Sequence, residues 1–385
     1  MRSSIAAAAP YAAFYGALFL AIGIQLPYWP IWLGGRGLTP EQIGLLLALT
    51  AWVKVGATPL IAQISDRVGQ PRTVLAALVT IAAACFALFF FTQGFWPILL
   101  VSLPMGICFS AMMPISESLT MAAVMRENMD YGRVRLWGSL AFVVGVLGAG
   151  GLLTDRYPDL ILVMILGVLV AGMITVATLP RQPATALGGV RLSPGVLLRD
   201  RHFLLFLATA TLLQASHATY YAFSAIHWRA AELSGMLIGA LWAEGVIAEV
   251  IFFAVSAPIY ARTGPVVLLL IAGLAGMVRW TVLGITTDLT ALIAVQLLHG
   301  ATFGAAHFGA MHLVTRAAPP NLATTAQGLY SAAAGGIGIG LALLLAGWLY
   351  GINEGSAFLA MAGLSLGGAV LAVPLHRWKR QDSVV

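Results

Sequence analysis

The sequence predicts an all-α membrane protein: twelve transmembrane helices in two pseudo-symmetric six-helix bundles. Three observations lead there. The 385 residues are 60% hydrophobic and 9% charged, whereas a soluble domain carries about 25% charged residues. The apolar residues fall in blocks of about 20, each long enough for a hydrocarbon core of about 30 Å. A transmembrane barrel would instead show alternating segments of about 10 residues. The longest polar link, residues 181–202 (RQPATALGGVRLSPGVLLRDRH), divides these blocks six and six.

The apolar blocks place spans at 10–33, 43–64, 73–92, 97–124, 135–154 and 160–180. After the link come spans at 203–227, 236–260, 265–286, 290–314, 326–350 and 356–375. The expected organisation is a bundle over 1–180, a cytoplasmic linker over 181–202 and a second bundle over 203–385. A short internal match supports duplication. Asp66-Arg67-Val68-Gly69 follows the second span, and Ala261-Arg262-Thr263-Gly264 follows the eighth, as in transporters with parallel halves. Pro27 and Pro30 in span 1, and Pro104 and Pro114 in span 4, are expected to bend their helices. Gly145, Gly148, Gly150 and Gly151 in span 5, and Gly335, Gly336, Gly338 and Gly340 in span 11, suit close helix packing.

Net charge is +6. No stretch interleaves basic and aromatic residues, so nucleic acid is not an expected partner. The excess instead orients the spans, because cytoplasmic loops favour Lys and Arg. One set of loops holds Arg2, Arg67, Arg72, Arg126, Arg133, Arg181, Arg191, Arg199, Arg201, Arg262, Arg316, Arg377, Lys379 and Arg380. The other holds Arg36, Arg156 and Arg229. Both termini are therefore expected in the cytoplasm, with the chain a multi-pass monomer in the lipid bilayer of the cell inner membrane. The apolar run of span 1 continues to Leu33 with further spans behind it, which argues against a cleaved signal peptide. Cys85 and Cys108 sit inside apolar blocks and are expected as buried thiols.

The informative residues are ionisable groups within spans. The stretch Met112–Ser139 (MMPISESLTMAAVMRENMDYGRVRLWGS) holds Glu117 in one span and Arg135 at the head of the next. A reversal near Arg126 brings the two to similar depth. Lys54 lies mid-span, as do His217 with Gln214, Tyr220 and Tyr221; Glu244 and Glu249; Arg279; and Gln296, His299, His307 and His312. A mid-bilayer charge costs about 2.5–3.5 kcal/mol on insertion scales, so such groups pair or line a polar cavity. Arg279 and His299 each lie about ten residues from one turn, roughly 15 Å deep, so they can meet near the midplane. Each group also admits a purely structural reading, as a salt bridge or a capped polar side chain. His307 and His312 lack zinc spacing, and no metal site is expected.

Twelve spans, a central link and DRVG after span 2 resemble the major facilitator superfamily. Of its loop signature, Asp66, Arg67, Gly69 and Arg72 are present; Ala62 replaces the first Gly, and Gln70 and Pro71 interrupt the basic pair. Within the superfamily the stretches YGRVRLWGSLAFVVG, LLQASHATYYAFSAIHW, GVIAEVIFFA, MVRW and LLHGATF resemble the 3-phenylpropionic acid transporter family. A remoter resemblance to lactose permease-like symporters implies sugar-contact positions at Glu117 and Arg135 and proton-pathway positions at Arg279, His299 and Glu249. The coupling carboxylate of that group would fall at Thr302, which is a departure. The proton carrier must then be another group, with Glu249, Glu117 and His217 as candidates.

The resemblance implies proton-coupled import of a small aromatic carboxylate by alternating access, with a site near the midplane between the halves. No cofactor is implied beyond the proton gradient. The expected substrate contacts are Lys54, Glu117, Arg135, His217, Tyr220, Tyr221 and Tyr28. Glu249, Arg279 and His299 are expected to couple protons, and Asp66, Arg67, Gly69 and Arg72 to form a gating loop. Arg suits a carboxylate through a two-pronged contact, and aromatic faces suit a ring. A neutral sugar or nucleoside is the alternative solute. A membrane enzyme or sensor is the rival class, but no nucleophile–base motif, cofactor loop or soluble output domain supports it.

Overall fold

The computed structural model describes residues 2–127, 129–153, 158–180, 194–317 and 322–377. Residues 181–193 of the expected linker lie outside these, as do Arg156, Lys379 and Arg380. Within the described residues the chain is helical and has no strand. The first six helices are α1 (Arg2–Gly35), α2 (Pro40–Val68), α3 (Pro71–Phe89), α4 (Phe95–Glu127), α5 (Tyr131–Leu152) and α6 (Leu160–Thr178). The next are α7 (Arg201–Ala215), α8 (Ala218–Ala230), α9 (Gly235–Ile285) and α10 (Leu289–Gln296). α11 (Ala306–Ala317), α12 (Ala323–Tyr330), α13 (Ile339–Ile352) and α14 (Glu354–Ala372) complete the set.

Ten helical stretches are long and apolar enough to cross a membrane. One of them, α9, has 51 residues and at about 1.5 Å per residue is far longer than a bilayer. It breaks at Gly264, where φ is 74° and ψ 173°, just before Pro265, and so makes two passes. α7 and α8 together form another. Twelve crossings result, and the chain is a multi-pass membrane protein.

Three crossings depart from plain α-helix. The seventh, expected as continuous, breaks at Ser216 and His217. Ser216 Oγ donates to the Leu213 carbonyl at 2.7 Å, and His217 Nδ1 meets the same oxygen at 3.1 Å. Side chains that claim a helix carbonyl compete with the ladder and bend it. The tenth and eleventh crossings each contain a wide π turn, Gly300–Ala305 and Ser331–Gly338. Such turns concentrate at functional positions. Pro27 and Pro30 lie inside the unbroken helix α1, and Pro104 and Pro114 inside the unbroken helix α4.

Aspartates and turn residues fix the helix ends. Thr39 and Gln42 form a reciprocal cap on α2, with bonds of 3.3 and 3.0 Å. Asp130, Asp200 and Asp288 accept from the first-turn N–H groups of α5, α7 and α10 at 3.2, 2.8 and 3.0 Å. Each such cap contributes about 1 kcal/mol. These acids are thereby explained by local structure, and Glu117, Glu244 and Glu249 are not.

By contact the chain forms two compact units: Met1–Leu187 with Ala225–Ala243, and Gly188–Ser224 with Glu244–Val385. In the first, α1 lies against α5 and α6, and α4 against α2 and α3. Gly23 and Gly145 permit the α1–α5 approach: a Cβ on Gly145 would stand 2.8 Å from the Leu20 carbonyl oxygen. An aromatic cluster of Trp29, Trp32, Phe86 and Phe89 fills one end, with Trp29 and Trp32 stacked at 4.6 Å. In the second unit α14 packs on α7, around a core that includes Phe203, Phe206, Leu268, Leu269 and Leu313. Large apolar side chains such as Phe91 (85% exposed) and Trp96 (70%) face outward, as lipid contact requires.

Candidate solute and proton sites

In the first unit, the α4–α5 reversal places Tyr131 at the head of α5. Its hydroxyl donates to Glu117 Oε1 at 3.2 Å. Arg135, one turn further along α5, does not form an ion pair with Glu117 or with any other described residue. Its guanidinium lies over the Phe19 ring at 4.1 Å and near the Tyr15 ring at 5.8 Å. Tyr131 lies within electrostatic reach of both Glu117 and Arg135. The acid and the base thus share a tyrosine neighbour instead of neutralising each other. Tyr131 and Phe19 were not legible as site residues, although Tyr131 opens the YGRVR stretch.

Lys54 stands partly buried on α2, with no ion pair or hydrogen bond to a described residue. Tyr28 is buried elsewhere in the same unit. Its hydroxyl donates to the carbonyls of Val146 (2.9 Å) and Gly235 (3.2 Å), so it is engaged by backbone. In the gating-loop stretch, α2 runs through Asp66 and Arg67, both exposed, and ends at Gly69. Gly69 has φ 66° and returns its N–H to the Ser65 carbonyl at 3.1 Å. Arg72 reaches across to the Ala177 carbonyl at 2.5 Å.

In the second unit a polar network surrounds Arg279, which is fully buried. Nη1 donates to His299 Nδ1 at 2.8 Å and to Thr302 Oγ1 at 3.0 Å; Nη2 donates to Gln296 Oε1 at 2.7 Å. Gln296 passes the chain on, donating from Nε2 to the Tyr220 hydroxyl at 3.1 Å. The guanidinium also lies over the rings of Tyr220 (4.6 Å) and Trp280 (4.5 Å). Such cation–π contacts are worth roughly 0.5–2 kcal/mol each. No described carboxylate stands within ion-pair distance of Arg279. Neutral oxygens, an imidazole lone pair and two aromatic faces carry the charge instead. Thr302, where lactose permease-like symporters have an acid, supplies one of those oxygens.

Glu249 is a step away: its Oε2 lies 3.8 Å from His299 Nε2, and its side chain is 25% exposed. Glu244 is within electrostatic reach of Arg279. His217 is buried and packs edge-on against Trp280 (5.1 Å) and His299 (6.1 Å) and stacks on Tyr221 (5.7 Å). A carbonyl only accepts, so Nδ1 of His217 carries the proton toward Leu213. Nε2 is buried with no partner among the described residues. His217, Tyr220, Tyr221, Glu249, Arg279 and His299 are thus one cluster. Among the described residues no hydrogen bond or ion pair joins Lys54 to Glu117 or Arg135, and Tyr28 bonds to backbone carbonyls. Among the described residues no three His, Cys, Asp or Glu side chains converge as metal ligands.

Twelve crossings, with ionisable groups inside the spans of each unit and Arg279 fully buried in the second, define a polytopic membrane carrier. Residues 9–360 match the model of the MFS_1 like family, and the chain belongs to that family of transporters. It is 37% identical over 361 residues to the "Probable 3-phenylpropionic acid transporter" of Escherichia coli (strain K12), covering 91% of this chain and 93% of the relative. It is 29% identical over 342 residues to the maltose permease of Geobacillus stearothermophilus, covering 87% and 86%. The fold is also that of the nucleoside transporter NupG (D323A mutant), with TM-score 0.88, 15% identity, and 96% and 100% of the two chains covered.

Proposed function

We propose that the chain imports a small aromatic carboxylate, such as phenylpropionate, together with protons and by alternating access. One observation carries the anionic class: Arg135 and Lys54 are basic side chains in membrane spans with no carboxylate paired to either among the described residues. A carboxylate solute supplies the missing charge, and Arg135 offers it a planar, two-pronged contact. The aromatic rings of Tyr15, Phe19, Tyr220 and Tyr221 suit a phenyl group. The 37% identity to a relative named for 3-phenylpropionic acid supports the same reading. Glu249, His299 and Arg279 form the proton-responsive cluster, and both termini face the cytoplasm of the inner membrane. The protein works as a monomer.

Uptake of labelled 3-phenylpropionate into vesicles, driven by an imposed acid-outside gradient, is the test. Solute-driven alkalinisation outside intact cells is its companion. Uptake of a sugar or nucleoside in place of the acid would overturn the anionic class. That second reading draws on the 29% identity to a maltose permease. Acid uptake indifferent to the proton gradient would overturn the coupling.

A further inference from the structure

Lysine occurs only at positions 54 and 379; every other Lys/Arg position is an arginine. An arginine cannot shed its proton in a protein, whereas a lysine shifts readily when buried. Among the Lys and Arg residues of the described spans, Lys54 is therefore the one that can exist uncharged.

Its surroundings give it no counter-charge. α2 packs chiefly on α4 and touches α1 and α3. α1 opens with Arg2 and carries Tyr11, Tyr15 and Tyr28, with Arg36 just past its end; α3 carries Arg72 and Cys85, and α4 carries Cys108, Glu117, Arg126 and Glu127. α2 itself carries Glu41, Asp66 and Arg67. No acid among these pairs with Lys54. The hydroxyls one turn to either side are spent as well. Thr50 donates to the Leu46 carbonyl at 2.8 Å, and Thr58 pairs with Ser110 at 2.8 Å. Opposite stands Gly106, where a Cβ would lie 3.4 Å from Lys54 Cε. The stem has room, and the amine has no fixed partner.

We propose that Lys54 is itself a proton-carrying site: its amine is neutral in the empty protein and takes up a proton together with the solute carboxylate. A lone ammonium within a membrane span is costly, and an arriving anion offsets that cost. The step is R–NH2 + H+ + carboxylate giving an R–NH3+···carboxylate pair; release of the anion returns the proton. Proton and anion then move as a neutral sum at this position, in addition to any proton handled at Glu249. The inference rests on the anionic solute proposed above.

The test counts protons taken up when 3-phenylpropionate binds the full-length protein in nanodiscs, by calorimetry in buffers of differing ionisation enthalpy. Lys54→Arg keeps the charge but cannot titrate. The expected result is continued binding with uptake reduced by about one proton per anion. An unchanged count in a binding-competent Lys54→Arg protein overturns the proposal. Should that variant fail to bind, Lys379→Arg leaves Lys54 as the single lysine amine for competitive acylation read by mass spectrometry. Acylation at neutral pH that 3-phenylpropionate suppresses supports the proposal; a rate unmoved by the anion overturns it. A wild-type protein that binds a sugar or nucleoside but not 3-phenylpropionate overturns the anionic solute and this inference together. If wild-type uptake of the acid stands, a negative Lys54→Arg result removes the lysine's role alone.

Discussion

Arg279 Nη1 donates to His299 Nδ1 at 2.8 Å, and that contact fixes the tautomer of the imidazole. A guanidinium has no lone pair, so Nδ1 must be the acceptor and Nε2 must hold the ring proton. That N–H lies 3.8 Å from Glu249 Oε2. A second proton on His299 would set two cations against each other in a buried site. The proposed proton-responsive group at this site is therefore the carboxylate. Glu249→Gln should lower the number of protons moved per solute, weakening accumulation driven by a proton gradient, and leave solute exchange at equal pH running. Solute-driven alkalinisation of wild-type extent in this variant would remove Glu249 from coupling.

Arg279 also has a structural consequence. Arg279→Met keeps much of the side-chain volume but orphans acceptors on His299, Thr302 and Gln296. Each unsatisfied buried group costs about 1–3 kcal/mol. The variant should melt well below wild type in detergent, whereas Thr302→Val should fall by about 1 kcal/mol. Equal melting of Arg279→Met and wild type would mean that the network is not closed in the membrane.

The twelve crossings could be read from the sequence because length and hydropathy alone demand them. The approach of Arg279 and His299 was also legible, since both stand about ten residues from one turn. What lay hidden were side chains whose roles depend on direction, not on depth. Glu117 and Arg135 are expected at similar depth, yet the acid turns to Tyr131 and the base to Phe19. The break at Ser216 and His217 was missed for a related reason. Hydropathy sees two polar residues in an apolar run and cannot see both side chains competing for the Leu213 carbonyl.

Tyr131→Phe tests the first of those directions. The change removes one hydroxyl and leaves the ring. Glu117 then loses the donor that holds it 3.2 Å away. A hydrogen bond to a charged group contributes roughly 1.5–3 kcal/mol when buried, and less at this partly exposed site. Uptake of 3-phenylpropionate should weaken severalfold, with Glu117→Gln in the same background adding little. Fully additive effects of the two changes would show that the residues act independently.

Gly69 offers a test of the loop after α2. Its φ of 66° lies in the left-handed region and closes the helix through the Ser65 carbonyl. A side chain there is strained by roughly 1 kcal/mol. Gly69→Ala should lower the melting temperature slightly, and Gly69→Asn, which tolerates this conformation, should recover most of the loss. No difference between the two variants would place the effect elsewhere than in backbone strain.

Arg135 separates charge from shape. Its guanidinium carbon lies 4.1 Å from the centre of the Phe19 ring, and its N–H groups make no hydrogen bond to a described residue. Lysine at this position would keep the charge but lose both the stacking and the two-pronged contact. Arg135→Lys should therefore raise the half-saturation concentration for 3-phenylpropionate about tenfold, equivalent to ~1.4 kcal/mol. Phe19→Leu should move it in the same direction by less, because only the platform under the guanidinium changes. If Arg135→Lys transports the acid with wild-type affinity, the guanidinium does not grip the solute, and its place over Phe19 is packing alone.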